Sequence, residues 1–325
     1  MIARQIYLEY VLVIPGKSIV LIQPRGFCAG VVRAIETVKL ALERYGAPIY
    51  VFHEIVHNPY VVNDLREKGA IFVDDLDDIP TGAVTIFSAH GVSVNIVDKA
   101  KQKQLQIIDA TCPLVTKVHL QARKYHAKGC EIIIIGHIGH EEIEGTMGSV
   151  PGPVHVILTP EDVDALQIPL DAKVAYVTQT TLSVDDTVDV IKALYKRFPN
   201  IQGPNTDDIC YATQNRQNAV RQLSKEIDLL LVVGARNSSN SNRLREVGAQ
   251  FGVLAHLIQD ETEIQPDWFN HIDKVAITAA TSTPEVLVQR VMTHLENYGL
   301  TTVRTMEGVE EKITFTLPKQ LAPGV

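Results

Sequence analysis

Three of the four cysteines in this 325-residue chain stand at matching places in a unit that recurs three times. Cys28 opens FCAGVVRAIETVKLALERYGAPIYVFHEIVHN, a helical stretch and a β-rich stretch ending at His57. Cys112 opens TCPLVTKVHLQARKYHAKGCEIIIIGHIGHEEIEG and leads through helix and strand to His140 and Glu142. Cys210 opens ICYATQNRQNAVRQLSKEIDLLLVVGARNSSNSNR and leads to Ser238, Ser239 and Asn240. The step from cysteine to the first polar loop residue is 29, 28 and 28 residues. Each unit adds a second strand-like run with a polar loop: TIFSAHGVS with His90, AYVTQTTLS with Thr180, AITAATSTP with Ser282. Three lobes, each bringing one thiol and two polar loops, point to one shared site on a pseudo-threefold axis.

Spacings of 84 and 98 residues between these cysteines exclude a compact zinc knuckle and a clustered ferredoxin run. Thiolates from three lobes can still converge. They can hold a cubane iron–sulfur cluster by three irons and leave the fourth open to substrate. Zinc on three cysteines and one histidine is the chief metal alternative. Cys28 lies between a strand and a helix start, where Gly26 and Gly30 permit close backbone approach. Cys112 precedes Pro113, a residue suited to the first helical position, and Cys210 has a weaker helix-start signal. A helix N-terminus is expected to lower a thiol pKa and favour metal ligation. Cys130, between a helix end and the apolar run EIIIIG, reads as a core thiol.

His57, His90 and His140 sit in loops with Gly or Asn after apolar strands, which singles them out from the other eight histidines. GHEEIEG places Glu141, Glu142 and Glu144 together after a buried strand. A carboxyl group there becomes a proton donor if partial burial raises its pKa, and spacing does not choose among the three. NSSNSNR offers hydroxyl, amide and backbone donors at a strand's carboxyl end, suited to a diphosphate. Thr180 and Ser282 occupy matching places. Neither a Gly-x-Gly-x-x-Gly fingerprint nor a Walker A sequence occurs.

The elements that must position these residues are strands and helices in alternation. EIIIIG and DLLLVVG are continuous apolar runs, as in parallel strands covered on both faces. Helical spacing recurs at Val31, Ile35, Val38 and Leu42, and at Val220, Leu223 and Ile227. The expected fold is α/β: three pseudo-threefold-related lobes with small, mostly parallel sheets around a central iron–sulfur site. The lobes are expected over residues 30–112, 113–209 and 210–325. The third carries a C-terminal arm and is completed by an N-terminal strand within residues 1–29. PVHVILTPEDVDALQIPLDAK reads as a strand and short helix, and RFPNIQGPNTDD as the crossing into the third lobe. The tail from Met306 reads as an added strand plus an extended arm.

Hydrophobic content of 46% with 21% charged residues is ordinary for a soluble α/β protein. A net charge of −8 without a Lys/Arg block speaks against nucleic-acid binding. No apolar run approaches the roughly 20 residues that span a bilayer. The first residues lack the pattern of a signal peptide and read as a short extension. A reducing, cytoplasmic setting is expected for three ligating thiols.

At these motifs the chain resembles the 4-hydroxy-3-methylbut-2-enyl diphosphate reductase family, the LytB-type iron–sulfur enzymes of isoprenoid synthesis. The stretches that carry the resemblance are PRGFCAGVVRAIE, EIVHNPYVV, IFSAHGVS, DATCPLVTKVH, GHEEIEGTMG, TQTTLSVDDT, DDICYATQNRQ and NSSNSNRL, over roughly residues 20–285. The resemblance implies that Cys28, Cys112 and Cys210 ligate a 4Fe–4S cluster with one open iron. It implies that His57, His90, His140, Ser238, Ser239, Asn240 and Ser282 hold the substrate, largely by its diphosphate. Thr180 and Glu142 would meet its hydroxyl end, with Glu142 as proton donor. The implied reaction is reductive loss of the C4 hydroxyl with two electrons and two protons. It yields isopentenyl and dimethylallyl diphosphate, the last step of the methylerythritol phosphate pathway. An electron donor such as ferredoxin or flavodoxin is expected. The usual Gly-Ala-Ser stretch stands here as Ala280-Thr281-Ser282, whose bulk is expected to bear on the backbone at Ser282. The extension of roughly 17 residues is also outside the common pattern.

Two other classes fit part of the pattern. An iron–sulfur electron carrier or redox sensor explains the cysteines but not the anion-binding loops or Glu142. A zinc-dependent hydrolase of a phosphorylated substrate explains the loops. Iron–sulfur protein is brown and zinc protein colourless.

Overall fold

The computed structural model describes residues 17–204 and 208–322. The extension before residue 17, part of the expected crossing at 205–207 and the last three residues of the arm lie outside them.

The chain begins with β1 (Ser18–Leu21). It continues through α1 (Ala29–Tyr45), β2 (Ile49–Phe52), α2 (Pro59–Glu67), β3 (Ala70–Val73), β4 (Val84–Phe87), α3 (Val94–Gln102) and β5 (Gln106–Asp109). Next come α4 (Pro113–Ala127), β6 (Glu131–Ile135), α5 (Glu141–Met147), β7 (Val154–Ile157), α6 (Pro160–Ala165), β8 (Val174–Thr178) and α7 (Val184–Arg197). The last stretch holds α8 (Tyr211–Leu223), β9 (Leu229–Val233), α9 (Ser239–Gln250), β10 (Leu254–Ile258), β11 (Lys274–Ala279), α10 (Glu285–Leu295) and β12 (Thr302–Thr305).

The strands form three separate sheets. Their orders are β3-β2-β4-β5, β7-β6-β8 and β10-β9-β11-β1-β12. Every strand pair among the described residues is parallel. This follows from the sequence: β9 reads LLLVV and all five residues are buried, because helices cover both faces. The helices match by period. In α1, Val31, Ala34, Ile35, Val38 and Ala41 are buried, and Leu42 packs partly against them. PVHVILTPEDVDALQIPLDAK holds β7 and α6 as expected.

β1 is a strand of the third sheet, hydrogen-bonded to β11 on one side and β12 on the other. Its exit loop therefore starts in that sheet and delivers Cys28 to the head of α1.

The expected strand in the tail is misplaced. β12 precedes Met306, and the described chain from Met306 onward has no strand, only a 3-10 turn at Lys319–Leu321. The Met306 N–H closes the ladder on the Leu21 carbonyl at 2.9 Å. Two residues on, Gly308 runs so close to the Gln23 carbonyl that a Cβ would lie 2.3 Å from its oxygen. That contact turns the chain out of the sheet. The arm then crosses to the first sheet, where Arg33 holds the Thr316 carbonyl at 2.7 Å and Leu321 joins the core around α1.

Candidate active site

In parallel sheets the carboxyl ends of strands open onto loops, and those ends form the site. Here one pocket is lined by all the residues singled out in the sequence: Cys28, Cys112 and Cys210; His57, His90 and His140; Glu142, Thr180, Ser238, Ser239, Asn240 and Ser282. Among the described residues no Lys or Arg lines it.

Each cysteine caps the N-terminus of a helix: Cys28 that of α1, Cys112 of α4, Cys210 of α8. Each also donates its backbone N–H to a loop at the end of another strand. Cys28 bonds the Thr281 carbonyl at 3.2 Å, Cys112 the Ala89 carbonyl at 3.0 Å and Cys210 the Thr180 carbonyl at 2.9 Å. These are the loops that carry Ser282, His90 and Thr180. The threefold pattern of the sequence is thus a repeated hydrogen bond, in which each cysteine docks on the second polar loop of the preceding unit.

The thiol pKa values are raised on balance, contrary to the lowering expected from the helix starts. Burial raises Cys28, pushes Cys112 up to about 12 and Cys210 up to about 11. Backbone N–H groups of the first helical turns work the other way and are outweighed. Gly30 lies between two of the thiols. A Cβ there would stand 2.7 Å from the Cys112 sulfur and 3.8 Å from that of Cys28. Among the described residues, the set of three metal-type donors drawn within 4.8 Å of one another is His57, His90 and Glu141, not the three cysteines. Sulfurs on one tetrahedral zinc would stand about 3.8 Å apart, from Zn–S bonds of about 2.3 Å. Cys130 is buried in the core beneath β6, away from the pocket.

The three glutamates separate. Glu142 is 2% exposed and faces the pocket; Glu144 is exposed. Burial raises Glu142 to about 7, against two hydrogen bonds from Thr180 that lower it. Glu141 accepts from His90 Nδ1 at 2.7 Å. Burial works to raise Glu141, but the His90 bond and nearby imidazole charge outweigh it and hold the carboxyl at about 2. His90 itself is pushed down by burial. The state consistent with both is a carboxylate accepting a neutral imidazole's Nδ1–H. The closeness of His57, His90 and Glu141 is that hydrogen bond and a ring stack, not an open ligand cage.

His57 and His90 stack at 4.0 Å, and His140 meets both edge-on at 5.6 and 6.0 Å. His140 caps α5 by accepting the Glu142 N–H on Nδ1 at 3.1 Å, which leaves its ring proton on Nε2. Burial lowers its pKa to about 3. Its backbone N–H donates to the His137 carbonyl. His57 is oriented by Glu54, 3.2 Å from its Nδ1.

Opposite the histidines lies the N-terminus of α9, with no acidic residue in its first turn. Ser238 caps it by accepting the Ser241 N–H. Ser239 Oγ lies 3.0 Å from the Thr181 hydroxyl. Asn240 Oδ1 accepts the Thr281 N–H at 3.0 Å, while its buried Nδ2 has no partner. Ser282 donates to the His57 carbonyl at 3.0 Å. The Ala280 that departs from the family pattern is fully buried opposite Gly234, whose missing side chain leaves it room. A helix N-terminus, an orphaned amide and imidazole N–H groups are all donors of the kind that can receive an anion.

Sequence reasoning missed Glu54, Thr181 and Phe315. Glu54, three residues before His57, and Thr181, beside Thr180, had a positional signal. Phe315 comes from the arm and had none.

A family-wide pattern described as "LytB protein" matches residues 19–296. The chain is 58% identical to the 4-hydroxy-3-methylbut-2-enyl diphosphate reductase of Zymomonas mobilis subsp. mobilis, covering 94% of this chain and 89% of that one. It is 59% identical to 4-hydroxy-3-methylbut-2-enyl diphosphate reductase 1 of Rhodopseudomonas palustris, covering 93% and 99%. The fold superposes on the solved E-1-hydroxy-2-methyl-but-2-enyl-4-diphosphate reductase of Plasmodium falciparum with a TM-score of 0.92 and 42% identity, covering 94% and 97%. With its three parallel sheets, its shared pocket and these relatives, the chain is an enzyme and belongs to the LytB family.

Proposed function

We propose that this enzyme removes the C4 hydroxyl of 4-hydroxy-3-methylbut-2-enyl diphosphate by reduction, in the last step of the methylerythritol phosphate pathway. Two electrons and two protons enter. Water leaves with the hydroxyl oxygen, the second proton ends on carbon, and isopentenyl and dimethylallyl diphosphate result. The observation that carries this reading is Glu142: a buried carboxyl with a pKa near neutrality, in the same pocket as three cysteines and an anion site.

The donor set fits a 4Fe–4S cluster. Three half-buried thiols with raised pKa values resist ionisation alone, and a shared cationic core offsets that penalty. Gly30 keeps the space between two of them free of a side chain. The three sulfurs are not drawn within 4.8 Å of one another, as ligands of one tetrahedral zinc would be. Cys28, Cys112 and Cys210 would hold it; when bound, the cluster supplies the electrons and a Lewis-acidic open iron.

The chain's own residues do the rest. Asn240 Nδ2, the Ser238 hydroxyl, the α9 N-terminus and the His140 Nε2–H receive the diphosphate. Arrival of that anion favours protonation of His90 at Nε2, since Glu141 already engages its Nδ1, while Glu54 fixes the orientation of the His57 ring. Thr180 holds Glu142 in place, and Glu142 delivers the proton to the departing hydroxyl. All four cysteines are free thiols, which suits a cytoplasmic enzyme supplied by a one-electron carrier such as ferredoxin or flavodoxin. No described helix is long and apolar enough to cross a membrane.

Single turnover tests this reading. Reduced enzyme mixed with the allylic alcohol diphosphate is expected to give both products and to become oxidised as it does so. Reduced protein that transfers electrons to carriers but leaves the diphosphate intact would make it an electron carrier instead.

A further inference from the structure

Among the described residues Arg216 is the largest fully buried side chain, 1% exposed. It sits on α8, six residues after Cys210. Its Nη2 donates to the Gly26 carbonyl at 2.7 Å, two residues before Cys28. Its Nη1 donates to the Ala212 carbonyl at 2.9 Å, two residues after Cys210. The same two nitrogens also donate to Glu311 of the C-terminal arm at 3.0 to 3.3 Å, while the buried Nε has no hydrogen-bond partner among the described residues. Glu311 also accepts from Asn215 at 3.0 Å. Four residues beyond Glu311, the arm places Phe315 in the wall of the pocket.

We propose that the Arg216–Glu311 pair is a positioning element of the cluster site. It ties the loop before Cys28, the helix that starts at Cys210 and the C-terminal arm into one unit, and it sets a balanced positive charge beside the cluster. The inference rests on the function proposed above. An apolar contact would fasten the arm without desolvating two charges, so a buried ion pair here points to an electrostatic task as well as a mechanical one. The guanidinium sits on carbonyls two residues from Cys28 and from Cys210, and the Glu311 carboxylate lies against it with the opposite charge. Reduction adds an electron to this same region. Arg216 therefore favours the reduced state and Glu311 moderates that effect.

The test compares anaerobically purified full-length protein with Glu311→Gln and Arg216→Met. Iron and sulfide per chain and the midpoint potential of the bound cluster are measured. Glu311→Gln is expected to keep most of its iron and to move the potential in the positive direction. Arg216→Met is expected to lose iron severalfold and to move the potential of the remaining cluster in the negative direction. A purely structural lock would lower iron in both while leaving the potential in place or moving it the same way, and that result overturns the proposal. If Arg216→Met does not fold, Glu311→Gln decides alone: a positive shift supports the pair's role and an unmoved potential overturns it. Wild-type protein without iron and sulfide would overturn this inference together with the function it rests on. A loaded wild type with an unshifted Glu311→Gln overturns only the inference.

Discussion

Thr180 holds Glu142 from two sides, its N–H donating to Oε1 at 2.7 Å and its hydroxyl to Oε2 at 2.8 Å. The Thr180 carbonyl in turn accepts the Cys210 N–H. One residue thus joins Glu142 to the head of a cysteine-bearing helix. The hydroxyl also limits how far burial raises the Glu142 pKa.

Glu142→Gln should keep bound iron and substrate binding while turnover falls about 10²–10⁴-fold, the usual worth of a positioned acid. The amide matches the carboxyl in size and hydrogen-bonds but carries no transferable proton. Glu144→Gln, at an exposed position, should leave the rate near normal. Glu141→Gln should act mainly on substrate affinity through His90. Single-turnover product formation beside a binding titration checks all three. Near-normal product from Glu142→Gln would move the donor elsewhere.

The pH dependence follows from the raised pKa. A donor near 7 is protonated below that pH, so the chemical step should decline above about 7. Thr180→Val removes a hydrogen bond that lowers the pKa, so the declining limb should move to higher pH even as the rate drops. A limb that stays put, or moves to lower pH, would show that another group titrates.

Stability carries the same signature. The Glu142 pKa is higher in the folded chain than its ordinary 4.5. Its favourable contribution is complete below 4.5 and is lost as pH rises through about 7. Glu142→Gln should therefore gain on wild type across that window, by about 3 kcal/mol at most. Thermal unfolding at pH 5 and pH 8 measures the difference; equal gains at both would contradict the burial of this carboxyl.

Gly30→Ala should displace the Cys112 thiol, because the new Cβ would lie 2.7 Å from its sulfur. Overpacking of this kind costs about 1–3 kcal/mol, and here it falls on a ligand. Iron per chain should drop severalfold while far-UV circular dichroism is unchanged. Full iron content in Gly30→Ala would remove the argument from close approach.

Much of this site is legible in the sequence because one unit repeats. The cysteines share a position in three units, so their convergence is readable without any structure. The polar loops follow apolar strands, and parallel sheets put such loops at one edge. What burial decides is not legible. Glu141, Glu142 and Glu144 look alike in GHEEIEG, and they separate because α5 turns Glu142 inward, Glu141 toward His90 and Glu144 to solvent. The same cause overturned the expected thiol pKa values: helix starts favour thiolates, but desolvation dominates. The arm escaped for another reason. Glu311 and Phe315 reach the site from just over a hundred residues beyond Cys210, through contacts that no local pattern encodes.

The most direct test of the central claim is the iron and sulfide content of anaerobically purified protein and its cysteine variants. Wild type and Cys130→Ser should be brown and carry about four irons and four sulfides per chain, the content of a 4Fe–4S cluster. Cys28→Ser, Cys112→Ser and Cys210→Ser should each lose stable cluster. Colourless wild-type protein holding zinc, or a full cluster in any of the three serine variants with loss in Cys130→Ser, would contradict the account.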